Sequence, residues 1–236
     1  MKRMAILILL IVLTTLIAVS CKSTGKAESF TDEQYDYALH LVLDQAQSKA
    51  TSDLFKQFNE FNASMIPGRY SEIEKRRDDI PGIDLLIRQW SESSSLFILQ
   101  VYGSFTDYME KLKNKVSFND PKALLEAGDD SVSRYYSSLH LDDVAQVISR
   151  SIRDIDFTTL RKALVQYNAW ASTRNRLYDE DNELFDAEIG NDELIELLAY
   201  HLASLFFRHM AASESLIRTT PDLSMDSVEA MVLGLV

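Results

Sequence analysis

The sequence has 236 residues, of which 46% are hydrophobic and 25% are charged, a balance typical of a folded globular protein rather than a disordered chain. Its 36 acidic residues outnumber the 24 basic ones, so the formal net charge is −12. An acidic surface repels the phosphates of nucleic acids and of anionic lipids. We therefore expect no nucleic-acid partner and no broad docking of the folded part onto an acidic membrane face.

The first 20 residues have the pattern of an export signal. Lys2 and Arg3 are followed by an uncharged apolar run over residues 4–19, and the small residue Ser20 ends it. This run is shorter than the roughly 20 apolar residues that a membrane-spanning helix needs. The pattern favours a cleaved signal peptide over residues 1–20, with a permanent transmembrane anchor as the alternative.

Residues 17–21 (IAVSC) resemble the lipobox of bacterial lipoproteins. The resemblance implies that Cys21 is the lipid attachment residue and becomes the acylated N-terminus. Ala18 occupies a position where such boxes usually have leucine, so cleavage by the ordinary signal peptidase stays open. Residues 22–29 are small and polar with no helical periodicity, and residues 21–30 are predicted to be a lipidated tether. We expect an exported protein that is anchored through its lipid to a membrane of the cell envelope, facing the periplasm or the cell surface.

Apolar residues recur at helical spacing over residues 31–236, which predicts one all-α, bundle-like domain. The first helix is expected to start near Thr31 and to run until Pro67 and Gly68 stop it. The next helix is predicted over residues 83–113, and its apolar stretch at 96–99 is expected to be buried on several sides.

The remaining helices are predicted from their caps and stops. Asp120 before Pro121 indicates a short helix that Gly128 ends, and Asp129 or Asp130 is expected to cap the long helix that follows. Its apolar residues form two stripes, Val132 to Leu139 and Val144 to Ile155, so this helix is expected either to bend near His140 or to contact different neighbours with its two halves. Further helices are predicted over about 157–178, from about 191 to Pro221, and from about 225 onward.

The segment ALLEAGDDSVSRYY at residues 123–136 resembles the signature of a bacterial, signal-bearing helical family known as domain of unknown function 4197. A second part of that pattern, "E..IR..P", is matched by Glu214, Ile217, Arg218 and Pro221. The resemblance covers roughly residue 84 to the C-terminus. It implies an exported helical fold, and it brings no activity because the family has none assigned.

The corner at residues 128–135 has a structural and a functional interpretation. Gly128 can adopt a positive φ that closes one helix, Asp129 and Asp130 suit the start of the next, and Arg134 can pair with either carboxylate. The functional alternative places Arg134 and Tyr135 in a groove that binds an anionic or apolar ligand. The structural interpretation is favoured.

No metal or cofactor is expected. His201 and His209 are eight residues apart, about 12 Å along a helix, so they cannot bind one ion together. The acidic run at residues 179–183 resembles the start of a calcium loop, but Leu184 and Gly190 occupy the positions that need glycine and glutamate. Arg174 lies on an apolar helix face and is expected to find an acidic partner.

The sequence contains no nucleophile elbow and no phosphate-binding glycine loop, so an enzyme is the least favoured class. The favoured hypothesis is a non-catalytic interaction or scaffold domain that binds another envelope protein. The alternative is a helical carrier for an apolar ligand such as a lipid, which would need an internal cavity of several hundred cubic ångströms.

Overall fold

A computed structural model describes residues 30–220, and within this range the chain forms seven α-helices, one 3-10 turn and no strand. The described residues from Asp32 onward form one compact unit, which confirms the predicted all-α single domain. In chain order the elements are α1 (Asp32–Asn59), the 3-10 turn (Gly68–Tyr70), α2 (Ser71–Lys75), α3 (Ile83–Lys113), α4 (Pro121–Glu126), α5 (Ser131–Ser151), α6 (Thr158–Tyr178) and α7 (Asn191–Thr219). The predicted leader, Cys21 and the helix expected from about residue 225 lie outside the described residues.

Helix α7 is the central helix of the described domain. It packs most extensively against α5 and α1, and α3 packs against α6 and α1. The largest fully buried side chains come from several of these helices and the 3-10 turn, among them Phe58, Tyr70, Trp90, Tyr136, Tyr167 and Phe206. Burying aromatic side chains of this size stabilises the packing of these helices against one another.

Helix α1 ends earlier than predicted. It stops at Asn59 rather than at Pro67, and Phe61 follows with a φ of +54°. The Asn62 amide donates to the Gln57 carbonyl at 2.9 Å, a bond that closes a helix end without glycine. The loop that follows is fixed from α3, because Trp90 Nε1 donates to the Met65 carbonyl at 2.8 Å.

Helix α3 has the predicted bounds, but its middle is not buried on several sides. Ile98 is buried, whereas Leu96 is 52% exposed. Residues two apart point to nearly opposite sides of a helix, and only one side of α3 faces the core at this level. A similar correction applies to α5, where Leu139 is 51% exposed although it was predicted to share the stripe of Val132 and Tyr136.

The start of α4 agrees with its sequence signals. Asp120 is the N-cap, and its Oδ1 accepts a hydrogen bond from the Ala123 amide at 2.9 Å, with Pro121 in the first turn. Gly128 follows the helix with a φ of +132°, as predicted. None of the helices between residues 30 and 220 is both long enough and apolar enough to span a membrane.

Candidate functional site

The corner between α4 and α5 carries the predicted Arg134 ion pair. Arg134 Nη2 lies 2.9 Å from Asp130 Oδ1, and the same nitrogen donates to the Ala127 carbonyl at 3.4 Å. A Cβ on Gly128 would lie 3.1 Å from this guanidinium, which is the exposed end of a flexible side chain, so the corner requires glycine for its positive φ rather than for space. Asp129 is exposed at the tip.

The cap of α5 differs from the prediction. Asp130 occupies the N-cap position, but its side chain makes no capping hydrogen bond. The cap comes instead from Glu214 near the end of α7: Oε1 accepts from the Val132 amide at 3.1 Å and Oε2 from the Ser133 amide at 2.6 Å. A buried carboxylate at this position also complements the positive end of the helix dipole. Asp130 is therefore the N-cap residue, as one of the two predicted, but the side chain that caps the helix is that of Glu214.

Arg218, one turn after Glu214, completes this buried cluster. Its Nη1 lies 3.0 Å from Glu214 Oε1 and 3.0 Å from Ser131 Oγ, and its guanidinium also donates to the carbonyls of Gly128 and Leu125. The side chains of Arg218 and Glu214 are 6% and 0% exposed. The last turn of α7 is thus bonded to the end of α4, to the Gly128 corner and to the start of α5.

The electrostatics of this cluster are those of a buried pair. Burial raises the pKa of the Glu214 carboxyl, while hydrogen bonds from Ser133, Val132 and Arg218 oppose the increase. Both carboxylate oxygens of Glu214 and both terminal nitrogens of Arg218 are bonded inside the domain, so the pair holds the helices in place. It joins the two parts of the sequence pattern, residues 123–136 and 214–218, which no local sequence signal had placed in contact.

Tyr135 does not join Arg134 in a groove. Its hydroxyl donates to the Ser117 carbonyl at 3.3 Å, and its ring centroid lies 5.9 Å from that of Phe118. Tyr135 therefore faces the segment before α4. Among the residues proposed for the functional corner, Arg134 and Asp130 line a groove and Tyr135 does not.

An open groove of about 360 Å³, here called the corner groove, runs between α5 and α7. Helix α5 contributes Arg134, Ser137 and Leu141, and helix α7 contributes Ser204, Phe207 and Arg208. Phe207 and the buried Ser133 lie in its floor, and the guanidinium groups of Arg134 and Arg208 are exposed at its rim. The Glu214–Arg218 cluster lies directly behind it and fixes the spacing of its two walls.

A second open groove of about 570 Å³, here called the upstream groove, lies along the first half of α7. It is lined by Arg69, Glu193, Glu196, Tyr200 and His201, and it shares Ser204 and Arg208 with the corner groove. The two grooves therefore meet on α7, and we refer to them together as the α7 groove. From Glu193 to Ala211 this surface extends about 27 Å along the helix.

Two of the three arginines of the α7 groove have acidic partners. Arg69 Nη1 lies 3.4 Å from Glu193 Oε1, and Arg134 pairs with Asp130 as described. Arg208 is exposed and has no hydrogen bond or ion pair with any residue in the described range. A cation at the junction of two grooves, in a chain with so many carboxylates, is open to a ligand.

His201 connects the upstream groove to the domain behind it. Its Nε2 lies 2.9 Å from the Ser64 carbonyl, and Ser64 Oγ donates to Glu74 at 2.9 Å. Burial lowers the pKa of His201, and the positive charge of Arg208 lowers it further, although the hydrogen bond to Ser64 opposes the shift. The neutral ring with its proton on Nε2 fits this bond, as expected for a hydrogen-bonded structural histidine.

Within residues 30–220, one apolar and partly open pocket lies between helices of the core. Side chains of α1, α3, α5 and α7, including Leu54, Ile98 and Phe206, line it and leave about 30 Å³, which is room for about one water molecule. The carrier hypothesis requires several hundred cubic ångströms. Among residues 30–220, the spaces of several hundred cubic ångströms described above are open surface grooves.

The acidic run after α6 is held by hydrogen bonds and ion pairs rather than arranged around a metal. Asn168 exchanges two hydrogen bonds with the backbone of Phe185 at 2.6 and 2.9 Å, and Asn175 exchanges two with the backbone of Asn182 at 2.9 and 2.8 Å. Glu180 pairs with Arg174, as the sequence predicted for that arginine. The described residues contain no group of three His, Cys, Asp or Glu side chains that could hold a metal ion.

Comparison with known proteins adds no further evidence for this site: no protein-family model, no curated protein and no solved structure matches the chain. The resemblance to domain of unknown function 4197 therefore stays a prediction. So do the signal peptide, the tether and lipid attachment at Cys21, which fall outside the described residues apart from Phe30 at the end of the tether.

Proposed function

We propose that this chain is a membrane-tethered, non-catalytic interaction domain of the bacterial cell envelope, and that it binds a segment of another envelope protein in the α7 groove. The observation that carries the proposal is that the two grooves adjoin on α7, where Ser204 and Arg208 line both of them. Two adjoining grooves along about 27 Å of helix suit an extended peptide or a helix better than a compact small molecule.

The chemistry of the α7 groove supports the same role. Protein interfaces are enriched in arginine and in aromatic side chains around an apolar centre. The α7 groove has Tyr200, which is 50% exposed, together with Arg208 at the junction and Leu141 and Phe207 in the floor. The buried Glu214–Arg218 cluster fixes α5 against α7. The groove is therefore preorganised, and binding a partner costs little conformational entropy in the groove.

The sequence supports the location of the partner. An export signal followed by a lipid-modified Cys21 would hold the domain at a membrane surface outside the cytosol. Lipid attachment would confine this chain to the same membrane surface as its partner, which raises their effective concentration. A groove of modest affinity is then sufficient for binding.

Site-specific photocrosslinking in the cells that produce the protein tests this proposal. The full-length chain carries a photoreactive amino acid at Ser204, which lines both halves of the α7 groove. Ser91 is the matched control, because it is a partly exposed serine in a separate groove of about 470 Å³. We expect a discrete protein adduct from position 204 and none from position 91. Equal labelling at both positions, or none at 204, would contradict the proposal.

A further inference from the structure

The partner's chemistry can be inferred from the one arginine of the α7 groove that lacks an acidic partner in the described part of the chain. We propose, on the basis of the proposed function above, that the bound segment is an acidic peptide segment that presents a side-chain carboxylate to Arg208 and Arg134 in the corner groove. An apolar residue of the same segment would lie on the floor formed by Leu141 and Phe207.

The charges of the corner groove favour an anion. Arg134 and Arg208 are its cations and Asp130 is its acidic residue, so its formal charge is positive in a chain whose net charge is −12. Arg134 is already bonded to Asp130, but its guanidinium has five donor N–H groups and its side chain is 61% exposed. It therefore retains donors for a second carboxylate.

Arg208 has a guanidinium group whose donors are free to bind a carboxylate of the partner. An arginine side chain binds carboxylates through two parallel hydrogen bonds, and such charge-assisted bonds are stronger than those between neutral groups. The positive charge of Arg208 acts on the groove around it: burial lowers the pKa of His201 and of His209, and Arg208 lowers both further. A carboxylate at this position would meet an uncompensated positive charge.

The surrounding groups define what accompanies the carboxylate. Ser137 and Ser204 place hydroxyls on opposite walls, and Leu141, Phe207 and Ala211 provide apolar surface between them. A free inorganic anion would leave that apolar surface without a partner. Because the groove continues past Ser204 toward Tyr200, the carboxylate belongs to a longer chain, and aspartate or glutamate beside an apolar residue meets both conditions.

Charge reversal in the crosslinking experiment tests the inference. Arg208→Glu is combined with the photoreactive residue at position 204, and Arg176→Glu is the matched control. Arg176 is an exposed arginine of α6 that has no ion pair in the described range and lines none of the three grooves. We expect the adduct to decrease about tenfold with Arg208→Glu, as for the loss of one charge-assisted contact, and to be unchanged with Arg176→Glu.

Peptide mass spectrometry of the adduct provides the second readout. We expect the crosslinked segment to contain an aspartate or glutamate next to an apolar residue. Its synthetic peptide should bind the wild-type chain more weakly when that acid is replaced by lysine, and the same replacement should restore binding to the Arg208→Glu variant. Full adduct yield from Arg208→Glu, a segment without acidic residues, or an adduct with the mass of a lipid would overturn the inference. Absence of any adduct at position 204 would contradict the proposed function itself.

Discussion

Two Arg–Glu pairs of this domain have the same chemistry but lie in different environments. Arg218 and Glu214 are buried between α4, α5 and α7, with side chains 6% and 0% exposed, and their atoms lie 3.0 Å apart. Arg174 and Glu180 lie at the surface where α6 ends, with side chains 41% and 34% exposed. The Arg174 Nε donates to Glu180 Oε1 at the same distance of 3.0 Å.

The pKa values of the two glutamates move in opposite directions. Burial raises the pKa of Glu214 despite its hydrogen bonds, whereas the hydrogen bonds from Arg174 lower the pKa of Glu180. Desolvation penalises the charged form strongly only where water is excluded. We therefore expect that burial, and not the presence of an ion pair, determines how much the stability of the domain depends on each pair.

Removing Arg218 is expected to have the largest effect. Arg218→Met should lower the free energy of unfolding by about 3–5 kcal/mol at pH 7, because the carboxylate of Glu214 would remain buried without its countercharge. Urea unfolding followed by circular dichroism measures the change. The loss should lessen as the pH falls, since proton uptake would neutralise Glu214.

The double variant Glu214→Leu/Arg218→Met is the control for this prediction. It removes both charges, so it should recover part of the stability lost by Arg218→Met alone, although the Val132 and Ser133 amides lose their acceptor. A single Arg218→Met variant as stable as the wild type would mean that the buried pair does not hold the corner.

The difference between these regions also explains how far the sequence could predict the domain. Gly128, the Arg134–Asp130 pair and an acidic partner for Arg174 were predictable, because each depends on residue type and on neighbours within about seven positions. The Glu214 cap was not predictable, because Glu214 lies about 80 residues after the two amides that donate to its carboxylate. The α7 groove was also missed, since its walls come from two distant helices.

Substitution of Gly128 tests the backbone part of the corner. Gly128→Ala should lower the free energy of unfolding by about 1–2 kcal/mol, since an L-residue is strained at a φ of +132°. Gly103→Ala is the matched control, because Gly103 lies within α3 and has open space around its Cβ position. Alanine there should be neutral or stabilising. Equal behaviour of the two variants would remove the argument for a constrained corner.

His201 provides a smaller, pH-dependent test of the groove wall. Its pKa is lower in the folded domain than in the unfolded chain, so the unfolded chain takes up the proton first as the pH falls. The contribution of His201 to stability is therefore present above about pH 6.5 and is lost as the pH falls through the folded pKa. His201→Gln should reduce the slope of the free energy of unfolding against pH between pH 7.5 and 5.5, by the part of that slope that protonation of His201 contributes. An unchanged slope would show that His201 titrates normally in the fold.

Arg174→Ala is expected to have the smallest effect on stability, and the urea midpoint should match that of the wild type. Its effect should instead be local. Without the guanidinium, the pKa of Glu180 should rise toward its usual value, which a carboxyl-carbon NMR titration measures, and the hydrogen bond from Asn182 should keep part of the shift. Removing the arginine would then lower the global stability of the domain in the buried pair. In the surface pair it would change only the pKa of Glu180. A destabilisation by Arg174→Ala as large as that by Arg218→Met would show that burial is not what separates the two pairs.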